Sequence, residues 1–167
     1  SESFSTTLDC KDAKGKAGTR YLLTVNCCFS WFPWIIPIKQ KNAETIARAL
    51  MEVVFLGLCL FPTVIRSDDA NEFTSAVSRE LNRLLNGKHM KGSTDQPESQ
   101  GTGESIHRVI NEGWRNLVQD NAEDWEMRLP YVQAFLRIMP RKALGNRSPH
   151  EVVTGIRPKL PVSLVSQ

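Results

Sequence analysis

Two apolar runs of strand length, residues 21–26 (YLLTVN) and 31–38 (WFPWIIPI), are separated by only four residues, and a segment of helical period follows them. A parallel pair needs a crossover of a dozen or more residues, so so short a link implies an antiparallel pair. Pro33 and Pro37 cannot donate to a ladder, which places the second run at a sheet edge or at bulges. The chain must therefore build a sheet from its own hairpin and then cover it with helices.

The rest of the pattern extends this. Residues 1–9 end in a strand that stops at Asp9, and 11–19 form a polar turn. Asn42 caps a helix over 42–55, with Ile46, Ala49, Leu50, Val53 and Val54 at helical spacing. The apolar run 53–65, interrupted by Gly57 and Pro62, is shorter than the roughly 18 residues of a membrane span. It reads as a helix end running into a short strand, 63–65, that halts at Ser67-Asp68. A second amphipathic helix covers 74–85, with Val77, Leu81, Leu84 and Leu85 inward and Gly87 beyond its end. A short strand is expected at 88–91. Residues 92–103 contain no apolar side chain and form a surface loop. Helices follow at 104–119 and at 122–139, the latter with a break near Pro130. Ser148 caps a last helix that Pro149 begins and Gly155 ends. The order gives one domain over 1–167, an α/β sheet flanked by helices.

Hydrophobic residues make up 41% and charged residues 23%, as in an ordinary globular chain, and a net charge of +3 permits a nucleic-acid partner without demanding one. The four cysteines form no C-x-x-C, so no structural zinc site is expected and free thiols fit best. No signal peptide and no membrane association are expected.

Three acids occupy informative places: Asp9 after the first strand, Asp68 after the strand at 63–65, and Glu104 at the start of the helix that follows the loop. Fifty-eight residues separate Asp9 from Asp68 and 35 separate Asp68 from Glu104. With 18 acids in the chain, spacing alone discriminates little. The neighbourhoods discriminate more. The stretch GTRYLLTVNCCFSWFPWIIPIKQKNAETIARAL looks like two strands leading into a helix in retroelement integrases. VIRSDDANEFTS resembles their S-D-N-G-x-E-F segment, QPESQGTGES their H-P-Q-S-x-G-x-x-E segment, and RSPHEVVTGIRPKLP their closing S-P-x-E-x-x-x-G-x-x-P-x-x-P. These run collinearly from about residue 8 to 161, so the chain resembles the catalytic core domain of Ty3/gypsy-like or retroviral integrases.

The resemblance implies an RNase H-like fold, a five-stranded mixed sheet flanked by helices on both faces. It implies D,D-35-E chemistry, in which Asp9, Asp68 and Glu104 hold Mg2+ (or Mn2+) for 3′-end processing and DNA strand transfer. Carboxylates are hard oxygen donors and suit these ions. Asp12 is the alternative first acid. Ser99, Gln100 and Gly101 fall in the family's DNA-contacting loop, and Arg108 lies one turn after Glu104, where it reaches a phosphate or pairs with Glu104. Element and target DNA are the implied partners, with a homodimer or higher homo-oligomer, in the nucleus after a cytoplasmic particle stage. Neither the family's zinc-binding N-terminal domain nor its C-terminal DNA-binding domain is recognised. Several positions depart from the pattern: Asp69-Ala70 replaces N-G, Asp95-Gln96 the aromatic-His pair, and Glu98 the usual Gln. They favour an alternative, a degenerate or co-opted domain that binds DNA or protein without catalysis. A third reading, a nuclease for RNA–DNA hybrids, is opposed by the closing segment.

Overall fold

The computed structural model describes residues 5–12, 18–59, 61–62, 64–67, 71–87, 91–93 and 125–159; at 5–12, 67, 71–73 and 91–93 it describes the backbone only. Strands β1 (Ser5–Asp12), β2 (Tyr21–Cys27), β3 (Pro33–Ile38), β4 (Val64–Ser67) and β5 (Lys91–Ser93) form one sheet in the order β3-β2-β1-β4-β5. The first three are antiparallel neighbours, and β4 and β5 continue the sheet parallel to β1. The β2–β3 link closes as a tight hairpin: Trp31 N–H donates to the Cys27 carbonyl at 2.9 Å and Cys27 N–H to the Phe32 carbonyl at 3.1 Å.

Period-two alternation divides the side chains of β2 and β3 between two cores. Leu23, Val25, Cys27, Trp34, Ile36 and Ile38 pack on one face against Ile46, Leu50, Val54 and Phe55 and against Val77 and Leu81. Leu22 and Ile35 face the other way, onto Trp125, Leu129 and Leu136. Helices therefore cover both faces.

On the first face lie α1 (Ala43–Ala49), a π-helical stretch Leu50–Phe55, α2 (Leu56–Leu58) and α3 (Asn71–Leu84). Asn42 caps α1 as expected, its Oδ1 accepting from Thr45 N–H at 2.8 Å. The π-helical stretch alters which residues face inward. Hydrogen bonds from i to i+5 turn the chain through less angle per residue than the 100° of an α-helix. That rotates Val53 out, at 44% exposure, and brings Phe55 in, fully buried. The sequence expectation for Val53 is thus corrected by a change of helical pitch that apolar spacing does not reveal. The helix also runs past Phe55 to Leu58 and stops where Cys59 turns left-handed, φ 54°.

Helix α3 starts at Asn71, three residues before the expected position. Leu84 is 38% exposed rather than inward, while Leu85 packs on the core. Its stop is made by Asn86, φ 52°, whose N–H donates to the Arg83 carbonyl at 3.3 Å, while Gly87 N–H donates to the Asn82 carbonyl at 3.1 Å. This is a Schellman closure with asparagine, not Gly87, in the left-handed position. The strand expected at 88–91 lies at Lys91–Ser93.

On the opposite face, α4 (Trp125–Ile138) is one helix that runs through Pro130. The expected break is absent, because buried Trp125, Leu129 and Leu136 anchor the helix on both sides of the proline. Helix α4 also grips the outermost strand: Ile35 N–H donates to Gln133 Oε1 at 2.7 Å, and Arg137 Nε–H to the Pro33 carbonyl at 3.1 Å. The two prolines thus sit at a sheet edge, as their chemistry requires. Helix α5 (Pro149–Thr154) begins in a full capping box of Ser148 and Glu151 and ends at Gly155, φ 72°, as the sequence indicates. No described helix is long and apolar enough to cross a membrane.

Candidate active site

The candidate site is built on the centre of the sheet, where β1 lies between β2 and β4. The β1–β4 ladder runs Ser5↔Val64, Thr6↔Ile65, Thr7↔Arg66 and Leu8↔Ser67. Asp9 is the next residue after that last pair on β1, and on its other side it is paired with Thr24. Asp9 therefore does not end its strand. The strand continues to Asp12, held by Cys10↔Leu23, Lys11↔Leu22 and Asp12↔Tyr21, so Lys11 and Asp12 belong to β1 and not to the expected polar turn. Antiparallel pairing to an apolar strand overrides the polar character of those two residues.

Asp68 follows Ser67 in the chain but falls outside the described residues, as do Glu104, Ser99, Gln100, Gly101 and Arg108. Of the sequence-derived candidates, the fold thus places Asp9 and its alternative Asp12, on the same strand. Among the described residues, no group of three His, Cys, Asp or Glu side chains gathers as a metal site.

Two polar side chains on the strands that flank β1 hold buried atoms without partners among the described residues. Asn26, two residues from Thr24 on β2, is 4% exposed, and among the described residues neither its Oδ1 nor its Nδ2 has a hydrogen-bond partner. Arg66, two residues before Asp68, has a buried Nε with no partner among the described residues. Each is an uncompensated cost in a folded chain, about 1–3 kcal/mol for a neutral group and more for a charged one. Positions two apart on a strand share a face, so Asn26 is on the Thr24 side of β2, and the ladders set Asn26 and Arg66 on either side of Thr7.

No family model matches the chain. It is 27% identical over 148 residues to the retrovirus-related Pol polyprotein from transposon 412 of Drosophila melanogaster, a match that covers 89% of this chain and 12% of the polyprotein. It is 30% identical over 151 residues to the Gag-Pol polyprotein of baboon endogenous virus (strain M7), covering 90% of this chain and 9% of the polyprotein. The chain thus spans a small part of the relatives it matches. Among solved structures, the catalytic core domain of BIV integrase has a TM-score of 0.66 at 20% identity, covering 92% of this chain and 95% of that one. The HTLV-2 integrase catalytic core domain, in complex with magnesium in a trimeric form, has a TM-score of 0.62 at 19% identity, covering 89% and 94%.

Proposed function

Since this chain is homologous to the Pol and Gag-Pol polyproteins of transposons and retroviruses and has the fold of retroviral integrase catalytic cores, we propose that it is an integrase core acting as a metal-dependent polynucleotidyl transferase. The observation that carries the reading is the register of the central strands. Asp9 lies on β1 one residue past Leu8↔Ser67, and Asp68 is one residue past Ser67 in the sequence. Two acids some sixty positions apart thus each follow, in the chain, one member of the same paired rung.

On this reading Asp9, Asp68 and Glu104 hold magnesium or manganese. The donor set fits: it is all carboxylate oxygen, which suits a hard cation. The magnesium complex of the HTLV-2 core supports the choice of ion. When bound, a pair of such ions activates the attacking oxygen and stabilises the leaving oxygen of an in-line displacement at phosphorus. The chain's own part is to fix Asp9 on a rigid sheet, with Ser99, Gln100, Gly101 and Arg108 proposed to hold the DNA backbone. The reactions proposed are 3′-end processing and strand transfer, in the nucleus, by a homo-oligomer; the trimeric form of the HTLV-2 core supports self-association.

The departures at Asp69, Ala70, Asp95 and Glu98 favour a second reading, binding without catalysis. A labelled DNA substrate incubated with Mg2+ or Mn2+ separates the two. The first reading expects nicking or strand joining by the wild-type chain and none by Asp68→Asn. Undiminished activity in Asp68→Asn overturns it. DNA binding with no metal-dependent turnover establishes the second.

A further inference from the structure

We propose that the junction between the β2–β3 hairpin and the loop after α4 is a phosphate-binding site for single-stranded nucleic acid, with Arg141 as its anchor. Arg141 is 9% exposed, and among the described residues neither its Nε nor its Nη2 has a hydrogen-bond partner. Those two nitrogens form one edge of the guanidinium, the edge that grips two oxygens of a phosphate or carboxylate at once. A buried cation with an empty fork is costly, and the cost is removed when an oxyanion fills it. Burial alone already holds the Arg141 pKa below the usual arginine value.

Among the described residues the surroundings add charge and supply no counter-ion. Arg137, one turn earlier, lies 4.3 Å from the Phe32 ring centroid and donates to the Pro33 carbonyl. Burial lowers its pKa to about 10. Arg147 donates its Nε–H to the Leu144 carbonyl. Among the described residues none of these three guanidiniums is paired with a carboxylate. The backbone holds Arg141 firmly meanwhile: its N–H donates to the Arg147 carbonyl, and its carbonyl accepts from Leu144 and Asn146 N–H, all at 3.0 Å.

The aromatic side chains decide between nucleic acid and an acidic peptide. The Arg141 guanidinium is 5.8 Å from the Trp31 ring centroid, and Trp31 holds a left-handed backbone, φ 59°, that is an outlier for a bulky residue. Such conformations persist at ligand clamps and switch points. Phe29, at the tip of the same hairpin, is 69% exposed. Unstacked bases settle on such rings while the backbone tracks the cations. Residues 137–159 carry six Lys or Arg against one acid, which extends the cationic track. For a phosphate to reach the fork, half-buried Trp31 swings aside or Arg141 extends past it. The hairpin turn begins beyond Cys27, three rungs along β2 from Thr24, the partner of Asp9.

The test is binding of a fluorescein-labelled single-stranded oligonucleotide to the full chain by anisotropy across a salt series, with metal chelated. Turnover at Asp9, Asp68 and Glu104 then has no bearing on the result. Arg141→Gln is expected to bind about tenfold more weakly and to reduce the salt slope by about 0.7, the value of one lost phosphate contact on a single strand. Arg141→Lys keeps the charge and loses the fork; it is expected to bind at least about threefold more weakly while retaining most of the slope. If Arg141→Gln does not fold, the lysine variant alone decides. Affinity within twofold of wild type in a folded variant overturns the proposal. So does a polyglutamate peptide that binds in an Arg141-dependent manner more tightly than the oligonucleotide.

Discussion

Exchanging Asp9 and Asp12 one at a time for asparagine tests which acid serves the site. They lie three positions apart on β1, which at about 3.4 Å per residue is about 10 Å along the strand. Two metal ions that share a set of carboxylates are only about 4 Å apart. The β1–β4 ladder ends at Leu8↔Ser67, one residue before Asp9, whereas Asp12 lies well past that level, opposite Tyr21. Asp9 is therefore the expected ligand and Asp12 the bystander. The readout need not be turnover. A metal at a hundredfold excess over its dissociation constant stabilises the folded state by about 2.7 kcal/mol. For a domain of this length that raises the melting temperature by about 5–11 °C, at about 2–4 °C per kcal/mol. Scanning calorimetry with and without Mn2+ or Mg2+ should show the rise in the wild type and in Asp12→Asn, and its loss in Asp9→Asn. A full metal-dependent rise in Asp9→Asn, or its disappearance in Asp12→Asn alone, would falsify the register argument.

Three further outcomes are expected. Phe55→Ala should cost about 3–5 kcal/mol in urea unfolding and Val53→Ala no more than about 0.5, because the π-helical stretch buries the first and exposes the second; the reverse order would mean ordinary helical pitch. Ser148→Ala removes the capping box of α5 and should lower stability by about 1 kcal/mol, read as an earlier thermal transition. The hydrogen bond from Arg83, followed by its charge, holds the Glu80 carboxyl below the usual glutamate value. Its contribution is complete above the unfolded value and fades as pH falls through the folded one, so Glu80→Gln should melt slightly earlier than the wild type at neutral pH and converge with it in acid, which flattens the acid limb of a melting-temperature titration in that window.

What the sequence disclosed depended on how local the cause was. The β2–β3 pair, the Asn42 cap and the Ser148–Pro149–Gly155 helix are each encoded within a few residues, and each was legible. The end of β1 was not: Lys11 and Asp12 read as a turn, and only the distant strand β2 makes them a ladder. Nor was the π-helical stretch, since apolar spacing carries no direct mark of pitch. The parallel pairing of β1 with β4 joins segments more than fifty residues apart, and motif resemblance, not local pattern, pointed there. For the site, the backbone places Asp9 and corrects its position within the strand. That Asn26, Arg66 and Arg141 hold buried polar atoms unpaired among the described residues was not legible, because unpaired burial is a property of the packed chain alone.

The outer rim of β3 has a consequence for how the molecule meets its copies. Its outward-facing amides belong to positions 33, 35 and 37: two are prolines, without a hydrogen to offer, and the third is already engaged by Gln133. A stranger's strand arriving there would find nothing to accept from, so growth by sheet continuation is blocked along that margin. At the far margin β5 spans only three residues and opens with a lysine, a poor template. Concentrated preparations should therefore resist fibre formation through either rim, and Pro37→Val would be expected to weaken that resistance.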